Sequence, residues 1–345
     1  MGIKRSVSLY SLQDEYVHKR LSFEDMLNEL KGLGADLEFI TDQMLKNSPF
    51  PREETLIEWD RLMKKYEVKP ICNDVFINMS LYKNRTLTIW EATEMLIHEI
   101  KLAHRLGFPI IRLVSQTPAE IIEPALPYAE KYGIVLALEI HGGMSFTNPY
   151  TKAFTDIMFK LKSPYLGVVV DAGIFCRRHP RVATNYFLEN GLNPKVADYI
   201  DTIFQSGTDP LHAIGDGFYT GGTHGPKYPT ELAGLLHSHI DREFSMFSCG
   251  YENSPIEILE PYLPYLKHIH GKIYEMTDEG EYSVDYEELI NYLTVHHWDG
   301  YISTEYEGNR FALKDKPVDG LGQVKKHQDH LKQLIEKAQG GSQNV

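Results

Sequence analysis

Eight short β-rich runs alternate along this chain with helical patterns, and that alternation limits the fold more than any other feature. The runs Arg5–Tyr10, Asp36–Ile40, Lys69–Asn73, Ile110–Val114, Val135–Ile140, Leu166–Asp171, His268–Lys272 and Gly300–Glu305 are predicted strands. Between them, Phe23 to Leu33 sets Met26, Leu27, Leu30 and Leu33 on one stripe. Ile89 to Leu106 and Val324 to Ala338 repeat apolar residues at three and four. Strands alternating with helices build parallel β-α units, and eight such units close a barrel. The expected class is α/β, a (β/α)8 TIM barrel in one domain over residues 1–338. A doubly wound sheet is the alternative, but it usually opens with a glycine-rich phosphate loop after its first strand. The segment SLYSLQDEY is not one. The stretch from about 177 to 254, after the sixth strand, is too long for one β-α connection and reads as an insertion. Within it GDGFYTGGTHGPKYP is crowded with glycine and proline and reads as a loop. Residues 339–345 read as a frayed or disordered tail.

Local signals support the helices. Ser22 is a good N-cap with Asp25 in the box position, and Thr117 precedes Pro118 with Glu120 completing a second box. A chain of 345 residues with 42% apolar content buries a sizeable core. Its net charge of −13 argues against a nucleic-acid surface. Cys72, Cys176 and Cys249 lie far apart, without the spacing of a disulfide framework or a zinc knot. No run approaches the length of a membrane span, and the start MGIKRSVSLYSLQDEY lacks a secretory apolar core. The expectation is a cytoplasmic protein.

Four strand ends carry chemistry. In LALEIHGG, Glu139 and His141 are two apart and share a face, toward the barrel axis if Leu138 and Ile140 face the helices. GVVVDAG ends a valine run in Asp171, which alone is equally well an N-cap. LKHIHGK places His268, His270 and Lys272 on one face, and GYISTEYE does the same for Glu305 and Glu307. Acids gathered at one point repel each other, and a divalent cation resolves that. Carboxylates with one imidazole suit Mn2+, Mg2+ or Co2+, while the lack of thiolates argues against zinc.

These motifs resemble the xylose-isomerase-like TIM-barrel superfamily of sugar epimerases and isomerases, over nearly the whole chain. The resemblance implies a metal held by Glu139, Asp171, His270 and Glu305. Endonuclease-like and epimerase-like members usually carry a histidine where this chain has Ile174, and its loss counts against a trinuclear phosphodiester site. The EIHG motif, the YSLQDEY start and the WDGYISTEYEG end look most like the α subunits of bacterial C-glycoside deglycosidases. That resemblance implies a hetero-oligomer with a small β subunit and a manganese-type site. It also implies a lyase reaction that cleaves the C–C bond between an aromatic aglycone and a 3-keto sugar. His141 is then the expected general base, since an imidazole changes charge near neutral pH. Lys272, His268, Glu307, Arg310 and Arg112 are candidate substrate-binding groups or structural ion pairs. The rival is a ketose 3-epimerase or sugar isomerase on the same metal, with Glu139 and Glu305 as the acid/base pair. A non-catalytic barrel acting only in assembly is the third reading.

Overall fold

The computed structural model describes residues 2–115, 117–214, 228–313 and 316–341. Eight parallel strands close a barrel: β1 (Lys4–Ser8), β2 (Asp36–Ile40), β3 (Pro70–Val75), β4 (Ile110–Leu113), β5 (Val135–Ile140), β6 (Leu166–Asp171), β7 (Leu266–Ile273) and β8 (Tyr301–Tyr306). Neighbours in sequence pair in space, and β8 closes on β1 with Lys4 opposite Tyr301. The expected (β/α)8 barrel is therefore the fold. Three strands match their expected bounds, and the others shift by a few residues. The third extends to Val75, which brings Asp74 into the sheet. The first stops at Ser8, because Leu9–Leu12 turns into a 3-10 helix.

The helices that pack outside the barrel include α1 (Phe23–Leu33), α2 (Glu53–Tyr66), α3 (Ile89–Leu106), α4 (Ile122–Tyr132) and α5 (Pro149–Leu161). Helix α1 starts with the expected Ser22–Asp25 capping box and ends at Gly34 in the left-handed region. Thr117 forms no box. Its hydroxyl donates to the Val114 carbonyl at 2.6 Å, a 3-10 turn covers Ala119–Ile121, and α4 begins only at Ile122. Between β6 and β7 lie α6 (Arg181–Glu189), α7 (Pro194–Gln205) and α8 (His239–Ser248), with short helical turns at Pro210–Ile214 and Thr230–Ala233. Most of the glycine-rich loop expected there, residues 215–227, lies outside the described residues. The chain closes with α9 (Tyr286–Val295) and α10 (Gly320–Gly341). Residues 339–341 thus belong to a helix rather than a tail, with Gln339 seated against Gly2, and 342–345 lie outside the described residues.

Strand parity divides the barrel into two environments. Val168 and Val170 of β6 join the main apolar cluster between sheet and helices, whereas Val169 between them does not. Facing inward with Val169 are Glu38, Cys72, Arg112, Glu139, Asp171, His268, His270, Lys272 and Glu305, so the axis of this barrel is polar and buried. All three cysteines are buried and free. Among the described residues no helix is long and apolar enough to cross a membrane.

Candidate metal centre and active site

Parallel strands deliver their C-terminal residues to one rim, which is why Glu139 of β5, Asp171 of β6, His270 of β7 and Glu305 of β8 meet. One ligand atom from each lies within 4.8 Å of all the others, and all four side chains are buried. His270 Nδ1 stands 2.9 Å from Glu139 Oε1 and 3.2 Å from Glu305 Oε2. Neither contact has hydrogen-bond alignment, and both His270 nitrogens and Glu305 Oε2 lack a hydrogen-bond partner. Buried polar atoms left this way are costly unless something else engages them. Three carboxylates and one imidazole, without thiolate, form a donor set that suits a hard or borderline divalent cation.

The remaining polar groups surround that set. Lys272 Nζ lies 3.0 Å from Asp171, 2.6 Å from Glu305 and 2.9 Å from Glu307. Arg112 donates to Glu139 at 2.6 Å and sits 3.7 Å from Asp74. Arg310 contacts Glu307 at 2.7 Å and donates to the Tyr10 hydroxyl at 2.8 Å. Glu38, Asp74, Glu139, Asp171, Glu305 and Glu307 outnumber the cations Arg112, Lys272 and Arg310, so the centre is acid-rich. Burial alone would raise the Glu139 carboxyl, but Arg112 and the His270 imidazole hold it well below the usual range. Burial pushes Asp171 up against the pull of Lys272. Burial would lower His270, yet Glu305 and Glu38 hold it well above its ordinary value. A cation at Nδ1 would take the place of that proton.

His141 lines the cavity at the end of β5. Its Nδ1–H donates to the Gly142 carbonyl at 2.7 Å, which leaves Nε2 to accept from the Ser115 hydroxyl at 2.6 Å. The turn after it is clamped. A Cβ at Gly142 would collide with the Gly250 carbonyl oxygen, Gly143 has φ 77°, and its N–H donates to Glu252 Oε1 at 2.8 Å. Burial and the Asp209 carboxylate push fully buried Glu252 up to about 8 from its ordinary 4.5. Folding then retains a proton that the unfolded chain loses. That stability is fully present below pH 4.5 and is lost as pH rises to about 8, by up to ~1.4 kcal/mol per pH unit. Glu252→Gln is therefore expected to gain Tm relative to the native chain between about pH 5 and 8, and to level off above. Thermal melts across pH check this, and a constant Tm difference would refute it.

Arg112, Lys272, Glu307 and Arg310 line the cavity, each already ion-paired, whereas His268 lies beneath it with Nε2 2.5 Å from Glu38. Five groups escape the sequence reading. Glu38 and Asp74 are strand acids on β2 and β3, and the parity argument applied to DLEFI would have flagged Glu38 between Leu37 and Phe39. Ser115 and Glu252 reach His141 and its turn through long-range contacts. The fifth is an aromatic wall. Tyr186 and Phe187 of α6, Phe247 of α8 and Phe311 beyond β8 line one side of the cavity, with ring centroids 5.4–6.4 Å apart. The cavity encloses about 670 Å³.

No protein-family model matches the chain. It is 26% identical over 330 residues to a C-glycoside deglycosidase alpha subunit of Arthrobacter globiformis, covering 91% of this chain and 87% of that protein. It is also 26% identical over 322 residues to the 3'-dehydrocarminate deglycosidase alpha subunit of a Microbacterium species, covering 91% and 90%. Among solved structures, an L-ribulose 3-epimerase superposes with a TM-score of 0.56 at 11% identity, covering 99% of this chain and 97% of that one. A sugar phosphate isomerase/epimerase of Parabacteroides distasonis gives 0.54 at 13% identity, covering 97% and 96%. These structures share the fold. The relatives' names support an enzyme over a non-catalytic barrel. The chain is thus similar, along about nine-tenths of its length, to proteins named C-glycoside deglycosidase α subunits.

Proposed function

We propose that this chain is the catalytic subunit of a carbon–carbon lyase that releases an aromatic aglycone from a 3-keto C-glycoside. The observation that carries this reading is the two-sided cavity. An aromatic wall of Tyr186, Phe187, Phe247 and Phe311 faces a floor of carboxylates and cations. Planar rings stack well against such a wall, and a sugar meets the polar side. One relative is named for a 3'-dehydro compound, which agrees with an oxidised sugar.

Glu139, Asp171, His270 and Glu305 would hold one divalent cation, with Mn2+ preferred and Mg2+ or Co2+ as substitutes. When bound, it would supply Lewis-acid polarisation of the sugar ketone. Arg310, at the mouth, donates to a sugar hydroxyl, while buried Lys272 holds Asp171, Glu305 and Glu307 in place on the floor. The Ser115 hydroxyl turns away, and His141 Nε2 takes the proton from C2. The electron pair left at C2 moves into the C3 carbonyl and gives an enediolate. As this collapses, C1=C2 forms and the bond from C1 to the aromatic carbon breaks. The departing pair stays on that carbon, which takes up a proton from His141. The products are the arene and a 1,2-unsaturated 3-keto sugar, and no water is consumed. A small β subunit completes a cytoplasmic hetero-oligomer, as the relatives' designation as alpha subunits suggests.

A ketose 3-epimerase is the second reading, favoured by the shared fold of solved epimerases. A free ketose, however, has no aromatic ring to place against the wall. The test is NMR of the Mn2+-supplied complex in D2O, with a 3-keto C-glucoside of an aromatic phenol and, separately, with a free ketose. The expected result is free arene and unsaturated keto sugar from the first and no epimer from the second. Deuterated epimer without arene release, or glucose as the first sugar product, would overturn the proposal.

A further inference from the structure

Glu38 is a buried acid that the reaction above does not use. It sits in the middle of β2, fully buried, between Leu37 and Phe39, which join the apolar layer under the helices. It is not among the residues that line the cavity, so it touches no substrate. Its two oxygens separate onto two imidazoles. Oε2 is 2.5 Å from His268 Nε2, and Oε1 is 2.8 Å from His270 Nε2. The two rings stand perpendicular, 5.7 Å apart, so the carboxylate between them has little freedom to rotate.

The 2.8 Å contact at Nε2, like those at Nδ1, lacks hydrogen-bond alignment. Glu139 and Glu305 lie on the Nδ1 side, so a cation there would leave the ring proton on Nε2, where Glu38 Oε1 can only accept. Nδ1 is the nitrogen 2.9 Å from Glu139 Oε1 and 3.2 Å from Glu305 Oε2, and its lone pair is open to a cation once its proton has left. Those partners also only accept. A lone pair facing two acceptors is unfavourable until a cation lies between them. We propose that Glu38 is a positioning residue: it holds His270 in the Nε2–H tautomer and aims Nδ1 at a divalent cation shared with Glu139, Asp171 and Glu305, while His268 braces the carboxylate from the far side. Outer carboxylates that orient a ligating histidine characteristically raise metal affinity in this way. A second cation on Glu38, Asp74 and His270 is the competing arrangement, since their donor atoms also cluster within 4.8 Å. The Arg112 guanidinium, 3.7 Å from Asp74, already supplies positive charge on that side.

The inference rests on the cation-site part of the proposed function and is independent of which bond is cleaved. Its test needs no substrate. Chelator-treated protein is titrated with Mn2+ while free Mn2+ is followed by EPR, for the native chain and for Glu38→Gln. One Mn2+ per chain is expected, with affinity about 10–100-fold weaker in the variant. Affinity within threefold, whatever the change in Tm, would make Glu38 a structural ion-pair partner and overturn the proposal. Two Mn2+ per chain, or none in the native chain, would also overturn it. If the variant does not fold, two-bond proton–nitrogen spectra of histidine-labelled, Mg2+-loaded native protein give the decision. The Nε2–H tautomer at His270 supports the proposal, and Nδ1–H refutes it.

Discussion

Replacing His141 with glutamine is expected to lower kcat/KM on a 3-keto C-glycoside by roughly 10²–10⁴-fold, the usual contribution of a positioned acid–base group. Glutamine retains hydrogen-bonding capacity toward Ser115 and the Gly142 carbonyl but cannot take a proton from carbon. His141 is not one of the four clustered ligands, so the Mn2+ content of the purified variant should equal that of the native chain. Steady-state kinetics together with metal analysis separate the two effects. A loss of less than about tenfold at unchanged metal content would move the base role to a carboxylate. Glu305 is the first alternative, because it shares the floor with Glu139 and reaches the same cavity.

Lys272→Met is expected to have the largest effect on stability. Lys272 is 5% exposed and is the common cation for Asp171, Glu305 and Glu307. Methionine fills much of the same volume but leaves buried carboxylates facing one another. Removing one partner from a buried charge cluster typically costs about 3–5 kcal/mol, which for a chain of this size corresponds to a Tm fall of roughly 4–7 °C. Saturating Mn2+ should restore part of that loss, because a cation at the four ligands would relieve the same repulsion. Calorimetry with and without Mn2+ provides the check. A variant as stable as the native chain in metal-free buffer would show that these carboxylates do not depend on Lys272.

The fold was legible where local and long-range preferences coincide. Val135–Ile140 and Leu166–Asp171 are apolar runs with clear ends, and they form strands at the expected residues. Helices α1 and α3 also match, since each combines a capping box with a left-handed glycine at its end. Expectation and structure part where tertiary pairing continues past the apolar run. Asp74 is polar, yet it pairs with Arg112 of β4 in register, and so β3 is longer than its hydrophobic pattern suggests. SVSLY has strand-like composition, but Leu9 and Tyr10 turn into the first helical segment. At the site, acids at strand ends could be read because strand ends converge in a barrel. Glu38 was not, because a mid-strand acid has no meaning until its two histidine partners, some 230 residues later in the chain, are placed beside it. The aromatic wall was invisible for the same reason: Tyr186, Phe247 and Phe311 become neighbours only through the folding of the β6–β7 connection.

The close approach of Gly142 to Gly250 gives the cavity a shared foundation. The His141 imidazole and the aromatic wall are carried by separate parts of the chain, yet the turn behind His141 rests on the 250–252 segment that directly follows α8, the helix bearing Phe247. A displacement of the wall by an oversized ring would therefore reach the imidazole through backbone contacts. Fit on one side of the cavity and reactivity on the other are then a single variable, and changing the accepted ring by altering α8 should change turnover along with affinity.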